Sequence, residues 1–326
     1  MSDYPGGARL LADVGGTNAR FALETAPLRF EAVAVLACAD YPSLGAAIQA
    51  YLAGISAQHP GPILHAAIAT ANPVDGDQVC MTNHHWSFST AEMRDQLGLD
   101  TLVVVNDFTA LAMSLPHLAP DQRVQVGGGI EQSGRTLGLV GPGTGLGVSG
   151  LVPAGGRWVA LASEGGHASF APGDAFEDDI VRQLRARFGH VSAERLLSGP
   201  GIELIYKCLT GKALGASEIT RRAADGSCAD CVRSIDVFCG ALGSVAGNVA
   251  LTLGAAGGMY IGGGIVPRLG ALFERSPFRA RFEAKGRLSA YVARIPTYLI
   301  TEQYPAFLGV SAILSEQMAG KHLKTP

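Results

Sequence analysis

Apolar residues in the first third of the chain fall into short runs that stop at a glycine or a single acid, separated by longer tracts with helical spacing. Runs near Arg9–Val14, Ala19–Glu24, Phe30–Ala37, Ile63–Ala71 and Thr101–Val105 predict strands, and tracts over Ser43–Ile55, Ser89–Leu97 and Phe108–Leu115 predict helices. The first two runs flank the turn at Gly15-Gly16, so the chain opens as a hairpin meander and then adds crossover connections.

From Thr136 the strand-to-glycine theme restarts, with apolar runs ending in Gly141-Pro142-Gly143-Thr144-Gly145 and in Gly262-Gly263-Gly264, the latter before a predicted helix. Between them, helices are predicted over Asp174–Phe188, Ala193–Cys208, Ser217–Ala224 and Cys228–Gly254. The terminal segment Ala306–Ala319 reads as an amphipathic helix that packs back on the first domain. The pattern predicts two α/β domains with a cleft between them: a small one over 1–114 plus 306–326 and a large one over 115–305.

Val237–Pro267 contains no charged side chain, and Gly243-Ser244-Val245-Ala246-Gly247 fits the small-residue motif of close helix contacts. Its many glycines, with Ser244, Asn248 and Thr252, predict a buried helix rather than a membrane span. Net charge is −3 and no Lys/Arg block exceeds two residues, so nothing marks a surface for nucleic acid. Six cysteines without framework spacing, and the absence of a secretory signal, lead us to expect a reducing, cytoplasmic setting. Cys228-Ala229-Asp230-Cys231 has C-x-x-C spacing but no second pair, and reads as the first turn of a helix.

The glycine turns carry the first chemistry. Glycine lets a backbone approach an anion without a Cβ in the way, and Thr17, Asn18 and Thr144 add hydrogen-bond donors. Three strand-to-glycine junctions suggest one nucleotide gripped at several points, although Asp-x-Gly-Gly alone also suits a tight hairpin. No Walker loop occurs. Gly145–Gly150 matches G-x-G-x-x-G by count, but its glycines lead into a predicted strand instead of the helix that a dinucleotide fingerprint needs.

The second chemistry is a polar set. Asn106-Asp107 follows an apolar strand and precedes a helix, where Asp107 could take a proton from a hydroxyl and Asn106 could bind its owner, or where the acid could serve only as a helix cap. Glu164-Gly165-Gly166-His167 lets a carboxylate and an imidazole converge, and Glu194 adds an acid that also suits the first turn of a helix. A zinc site from Glu164 and His167 lacks a third ligand at recognisable spacing. Such acceptors suit a polyhydroxylated ligand, and beside a nucleotide they point to a sugar kinase.

Asp13–Arg20, Met81–Trp86, Asn106–Ala110, Gly141–Gly147, Glu164–His167, Glu194–Gly201 and Gly262–Arg268, in that order, resemble the bacterial ATP-dependent glucokinase family over essentially the whole chain. The resemblance implies a two-domain actin-like ATPase (ribonuclease H-like) fold with an interdomain cleft. It implies Asp107 as catalytic base, Asn83, Asn106, Glu164, His167 and Glu194 as glucose ligands, and Ala12, Asp13, Val14, Gly15, Gly16, Thr17, Gly143, Thr144, Gly145, Gly263 and Gly264 at the nucleotide. It further implies transfer from Mg-ATP to the 6-hydroxyl of D-glucose, with Asp13 orienting Mg²⁺ through water, and a homodimer; charge and composition add the expectation of no nucleic-acid and no membrane partner. A related repressor-kinase group carries a cysteine-rich zinc motif after its Glu/His site, and no such Cys-x-Cys run stands here. Another hexose or amino-sugar kinase, a sugar-sensing regulator and a chaperone-like ATPase are the alternatives on this fold; for the last, no residues are left over to build a peptide-binding module.

Overall fold

The computed structural model describes Tyr4, residues 7–81 and residues 84–322. Its contacts divide the chain into two compact units, Met1–Leu118 with Gln303–Pro326 and Ala119–Glu302.

The first unit opens with β1 (Arg9–Val14), β2 (Asn18–Ala26) and β3 (Arg29–Ala37), an antiparallel meander whose tight connections leave no room for a crossover. After α1 (Leu44–Ile55), capped by the Ser43 hydroxyl, β4 (His65–Thr70) pairs parallel to β1. A two-stranded ribbon of β5 (Gln78–Cys80) and β6 (Ser87–Ser89) leads through α2 (Thr90–Gln96) to β7 (Thr101–Asn106), parallel to β4. The sheet order is therefore β3-β2-β1-β4-β7. Register aligns Val14 with Thr70 and Thr70 with Asn106. The turn after β1, the start of the β4–β5 connection and the head of α3 (Asp107–Ser114) consequently share one edge of the sheet.

The second unit holds β8 (Arg123–Gln125), β9 (Leu137–Pro142), β10 (Leu146–Ala154) and β11 (Arg157–Ala160). Helices α4 (Ala175–Phe188), α5 (Gly199–Thr210), α6 (Ala216–Ala224) and α7 (Ala229–Leu253) follow, then β12 (Gly258–Ile261). Four short helices, α8 (Val266–Leu269), α9 (Ala271–Glu274), α10 (Phe278–Glu283) and α11 (Ser289–Val292), precede β13 (Thr297–Ile300). The sheet order is β11-β10-β9-β12-β13-β8. By length and composition α7 could cross a membrane, yet 61% of its most apolar window is buried inside the structure. Gly243 explains the close contact there: a Cβ on it would strike the Phe278 backbone of α10.

The chain then returns to the first unit as α12 (Pro305–His322). Phe307, Val310 and Leu314 join Leu11, Ala22 and Ala110 in a core cluster. Arg9 donates to the Ser315 hydroxyl, and the Ser311 hydroxyl donates to the buried Glu24, whose carboxylate also faces Arg9.

Three expectations need correction. The helix predicted over Ala193–Cys208 is a 3-10 turn, Ala193–Arg195, followed by α5, because Ser198 caps a new helix with Pro200 in its first turn. The terminal helix is not amphipathic: its residues 306–311 are buried all round, and exposure rises only along its second half. The short strands β5, β6, β8 and β13 fell outside the predicted set; each is too brief to show a periodicity of its own.

Candidate active site

In the first unit, β7 ends where Asn106 and Asp107 begin α3, and the two side chains divide the work of the helix terminus. Asn106 is the cap: its Oδ1 accepts from the Phe108 and Thr109 amides at 2.9 and 3.3 Å, while its Nδ2 donates to the Asn72 carbonyl at 3.1 Å. Asp107 therefore follows the cap as the first helical residue, with Oδ1 accepting from the Phe108 amide at 2.8 Å. Burial, and next the charge of Asp13, push the Asp107 carboxyl up to about 6; the Phe108 amide pulls the other way. Burial also raises the carboxyl of Asp13, opposed by the Arg20 guanidinium, which donates to Asp13 Oδ2 at 3.0 Å across the β1–β2 hairpin. Two partly buried carboxylates within electrostatic reach, one of them paired with an arginine, form a set that a divalent cation carrying phosphate oxygens suits.

The turn beside them is Gly15-Gly16-Thr17. Ala12 and Val14 point into the core, so only their backbone can face a ligand. The Gly15 amide closes on the Asn18 carbonyl at 3.0 Å, and the Cys38 amide donates to Thr17 O at 2.8 Å, which fixes the loop from both sides.

The second unit gathers the other polar candidates. Glu164 stands before the 3-10 turn Gly165–His167, Glu194 lies in the turn Ala193–Arg195, and the His167 ring is between them. Nε2 of His167 is 3.9 Å from Glu164 Oε2, and Nδ1 is 4.0 Å from Glu194 Oε1. Glu194 is held by the Leu146 amide at 3.0 Å, while the Glu164 carboxylate is exposed and free to meet a ligand. Glycines make the convergence possible. A Cβ on Gly166 would collide with the Leu146 carbonyl, and one on Gly145 with the Glu194 carboxylate.

Next to this cluster is a cavity of about 850 Å³ lined by Gly143, Thr144, Gly264, Glu203, Thr220, Arg221 and Arg268, among others. Gly263 does not line it; at φ +78° it packs on the Pro142 carbonyl and so shapes the turn that presents Gly264. The structure thus groups Gly143 and Thr144 with Gly264, and Glu164 with His167 and Glu194. Asn83 lies outside the described residues. Sequence reasoning missed Arg20 as the partner of Asp13, Asn72 as the anchor of Asn106, and Glu203, Thr220 and Arg221 of the cavity, which no motif marks.

The family model for glucokinase matches residues 10–317. The chain belongs to the glucokinase family. It is 59% identical to the bifunctional protein glk of Paraburkholderia xenovorans (strain LB400) over 97% of this chain and 50% of that protein. It is 54% identical to the glucokinase of Chromobacterium violaceum, over 98% of this chain and 92% of that one. The chain spans about half the length of the bifunctional relatives it matches. Among solved structures, the glucokinase from an Antarctic psychrotroph superposes with a TM-score of 0.88 at 36% identity, covering 95% of this chain and 99% of that one. With glucokinase-family membership comes the two-domain actin-like ATPase fold.

Proposed function

We propose that this protein phosphorylates D-glucose at its 6-hydroxyl with Mg-ATP, giving glucose 6-phosphate and ADP, and that it does so in the cytoplasm as a homodimer. Membership of the glucokinase family supports the reaction class, and one observation carries the mechanism. Asp107 is a partly buried carboxylate at the head of α3, with its pKa lifted to about 6. At pH 7 such a group is about 90% ionised yet more basic than an ordinary aspartate, the compromise a general base needs.

Asp107 accepts the proton of the glucose 6-hydroxyl as that oxygen attacks the γ-phosphorus, the bond to the bridging oxygen of ADP breaks, and the proton leaves to water in the next cycle. Asn106, Glu164, His167 and Glu194, with Asn83, take the remaining hydroxyls. Their mixture of acceptors and donors leaves groups covered by the sugar unpaired when an epimer binds, which is a strong basis for discrimination. The backbone of Ala12 to Thr17, with Gly143, Thr144, Gly145, Gly263 and Gly264, receives the nucleotide. Asp13 would hold Mg²⁺ through water, and that ion supplies charge neutralisation on the β- and γ-phosphates.

A coupled assay of sugar 6-phosphate formation with Mg-ATP, run on glucose, mannose, fructose, galactose and N-acetylglucosamine, tests the reading. We expect kcat/KM for glucose to exceed the others by at least tenfold. A higher value for another sugar would replace the substrate and keep Asp107, and no transfer to any sugar would overturn the reading.

A further inference from the structure

We propose that Cys228 and Cys231 form a redox-active dithiol, in which Cys228 is oxidised by hydrogen peroxide and Cys231 resolves it by closing a disulfide across the first turn of α7. This site goes beyond sugar phosphorylation, since neither sulfur belongs to the residues assigned to glucose or nucleotide.

Cys228 is the N-cap of a 25-residue helix, and its sulfur accepts the Cys231 amide at 3.3 Å. A thiolate there takes a backbone hydrogen bond and the positive end of the helix dipole. What makes the position more than a helix terminus is the second sulfur. The Cys228 sulfur already rests on the backbone amide of Cys231, so the second thiol springs from the residue that the first one touches. Access is graded as the chemistry requires: Cys228 is partly exposed and Cys231 is buried.

The surroundings separate this pair from the other thiols. The Cys231 thiol and amide both hold the Cys228 thiol below its ordinary pKa, against burial and the smaller opposing charge of Asp230. Burial moves Cys38, Cys208 and Cys239 the opposite way, and Cys231 is pushed up to about 12 with Arg222 opposing. Cys80 is exposed, but its neighbour is the Ser87 hydroxyl. Among the described residues no group of three or more His, Cys, Asp or Glu side chains could hold a metal ion.

In the first step the Cys228 thiolate attacks one peroxide oxygen, the O–O bond breaks, and hydroxide leaves to give a sulfenic acid. In the second the Cys231 sulfur attacks the Cys228 sulfur, the S–O bond breaks, and the Cys231 proton leaves with the hydroxide as water. Two thiols lose two electrons, and one peroxide becomes two waters.

The reduced full-length protein is treated with hydrogen peroxide, alkylated, and mapped on the tryptic peptide 223–233, which contains these two cysteines and no other. We expect that peptide to lose two hydrogens before Cys80 is modified. In Cys231→Ser the reaction stops at sulfenic acid, trapped by dimedone on Cys228; in Cys228→Ser the remaining thiol still alkylates. The proposal fails if Cys80 oxidises while Cys228 and Cys231 both remain alkylatable. It also fails if folded Cys231→Ser gives no dimedone adduct at Cys228; should that variant not fold, the wild-type peptide decides.

Discussion

A carboxyl held above its ordinary pKa, as Asp107 is, carries a cost to the fold that its removal should reveal. The Asp107 carboxyl, lifted from 3.8 to about 6, binds a proton more tightly in the folded than in the unfolded chain. Stability from this group is present below pH 4 and is lost as pH rises to 6, because over that window the folded state holds more protons than the unfolded one. The difference is on the order of 3 kcal/mol. Asp107→Asn removes the charge and keeps the shape. We therefore expect kcat to fall by about 10²–10⁴ with glucose affinity within about tenfold, while stability at pH 7 rises by roughly 1–3 kcal/mol. Denaturant titrations at pH 4 and pH 7 check the second half: the gap between variant and wild type should open with rising pH, and an equal gap at both would exclude the assigned origin. In the wild type, kcat/KM should drop about tenfold per pH unit below 6. The position of Asp107 between an apolar strand and a helix was legible in the sequence. The division of labour that leaves Asn106 as the cap was not, because either residue type caps a helix equally well.

At the scale of elements, the glycine turns were visible as composition, but the reason for each glycine was not. Gly145 and Gly263 look alike in sequence, each within a strand-to-turn junction. In the structure a Cβ on Gly145 meets the end of a movable side chain, Glu194, whereas one on Gly263 meets the Pro142 backbone at a positive φ of 78°. Gly145→Ala should therefore leave the melting temperature within about 2 °C and raise KM for glucose, since Glu194 must give way. Gly263→Ala should cost about 1–3 kcal/mol through strain and overlap. Equal melting temperatures for the two would refute this distinction. The split before α5 has the same character: Ser198-Gly199-Pro200 is a readable start signal, yet helical spacing on either side of it hid the break. Glu164, His167 and Glu194 were each legible as acids or imidazole near glycines. Their meeting depends on the Leu146 amide and carbonyl, which no spacing rule reaches.

At the scale of the whole molecule, the chain leaves its first unit after Leu118 and completes it only with α12. That helix packs against α3, the element that begins with Asp107, and the contact is backbone to backbone. A Cβ on Gly309 would fall on the Ala110 carbonyl, an atom fixed within α3 that cannot rotate away. Sequence reasoning placed a helix here but took it for a two-faced one, because the pattern of residues 306–311 gives no hint that the sheet, α3 and the Arg9–Glu24 pair enclose it on every side. Gly309→Ala must therefore push α12 off α3, losing part of the burial of Phe307, Val310 and Leu314. Overpacking of this kind costs about 1–3 kcal/mol, and since neither α12 nor Gly309 touches the assigned ligands, any effect on catalysis must pass through the position of α3. We expect the melting temperature and kcat to fall together, with KM for ATP moving less than threefold. This is the opposite pairing from Asp107→Asn, where kcat falls while stability rises, so the two variants measured side by side separate loss of the base from its misplacement. A Gly309→Ala protein that melts as the wild type does would show that the two helices have slack between them, and the coupling of the terminal helix to Asp107, the proposed base, would be wrong.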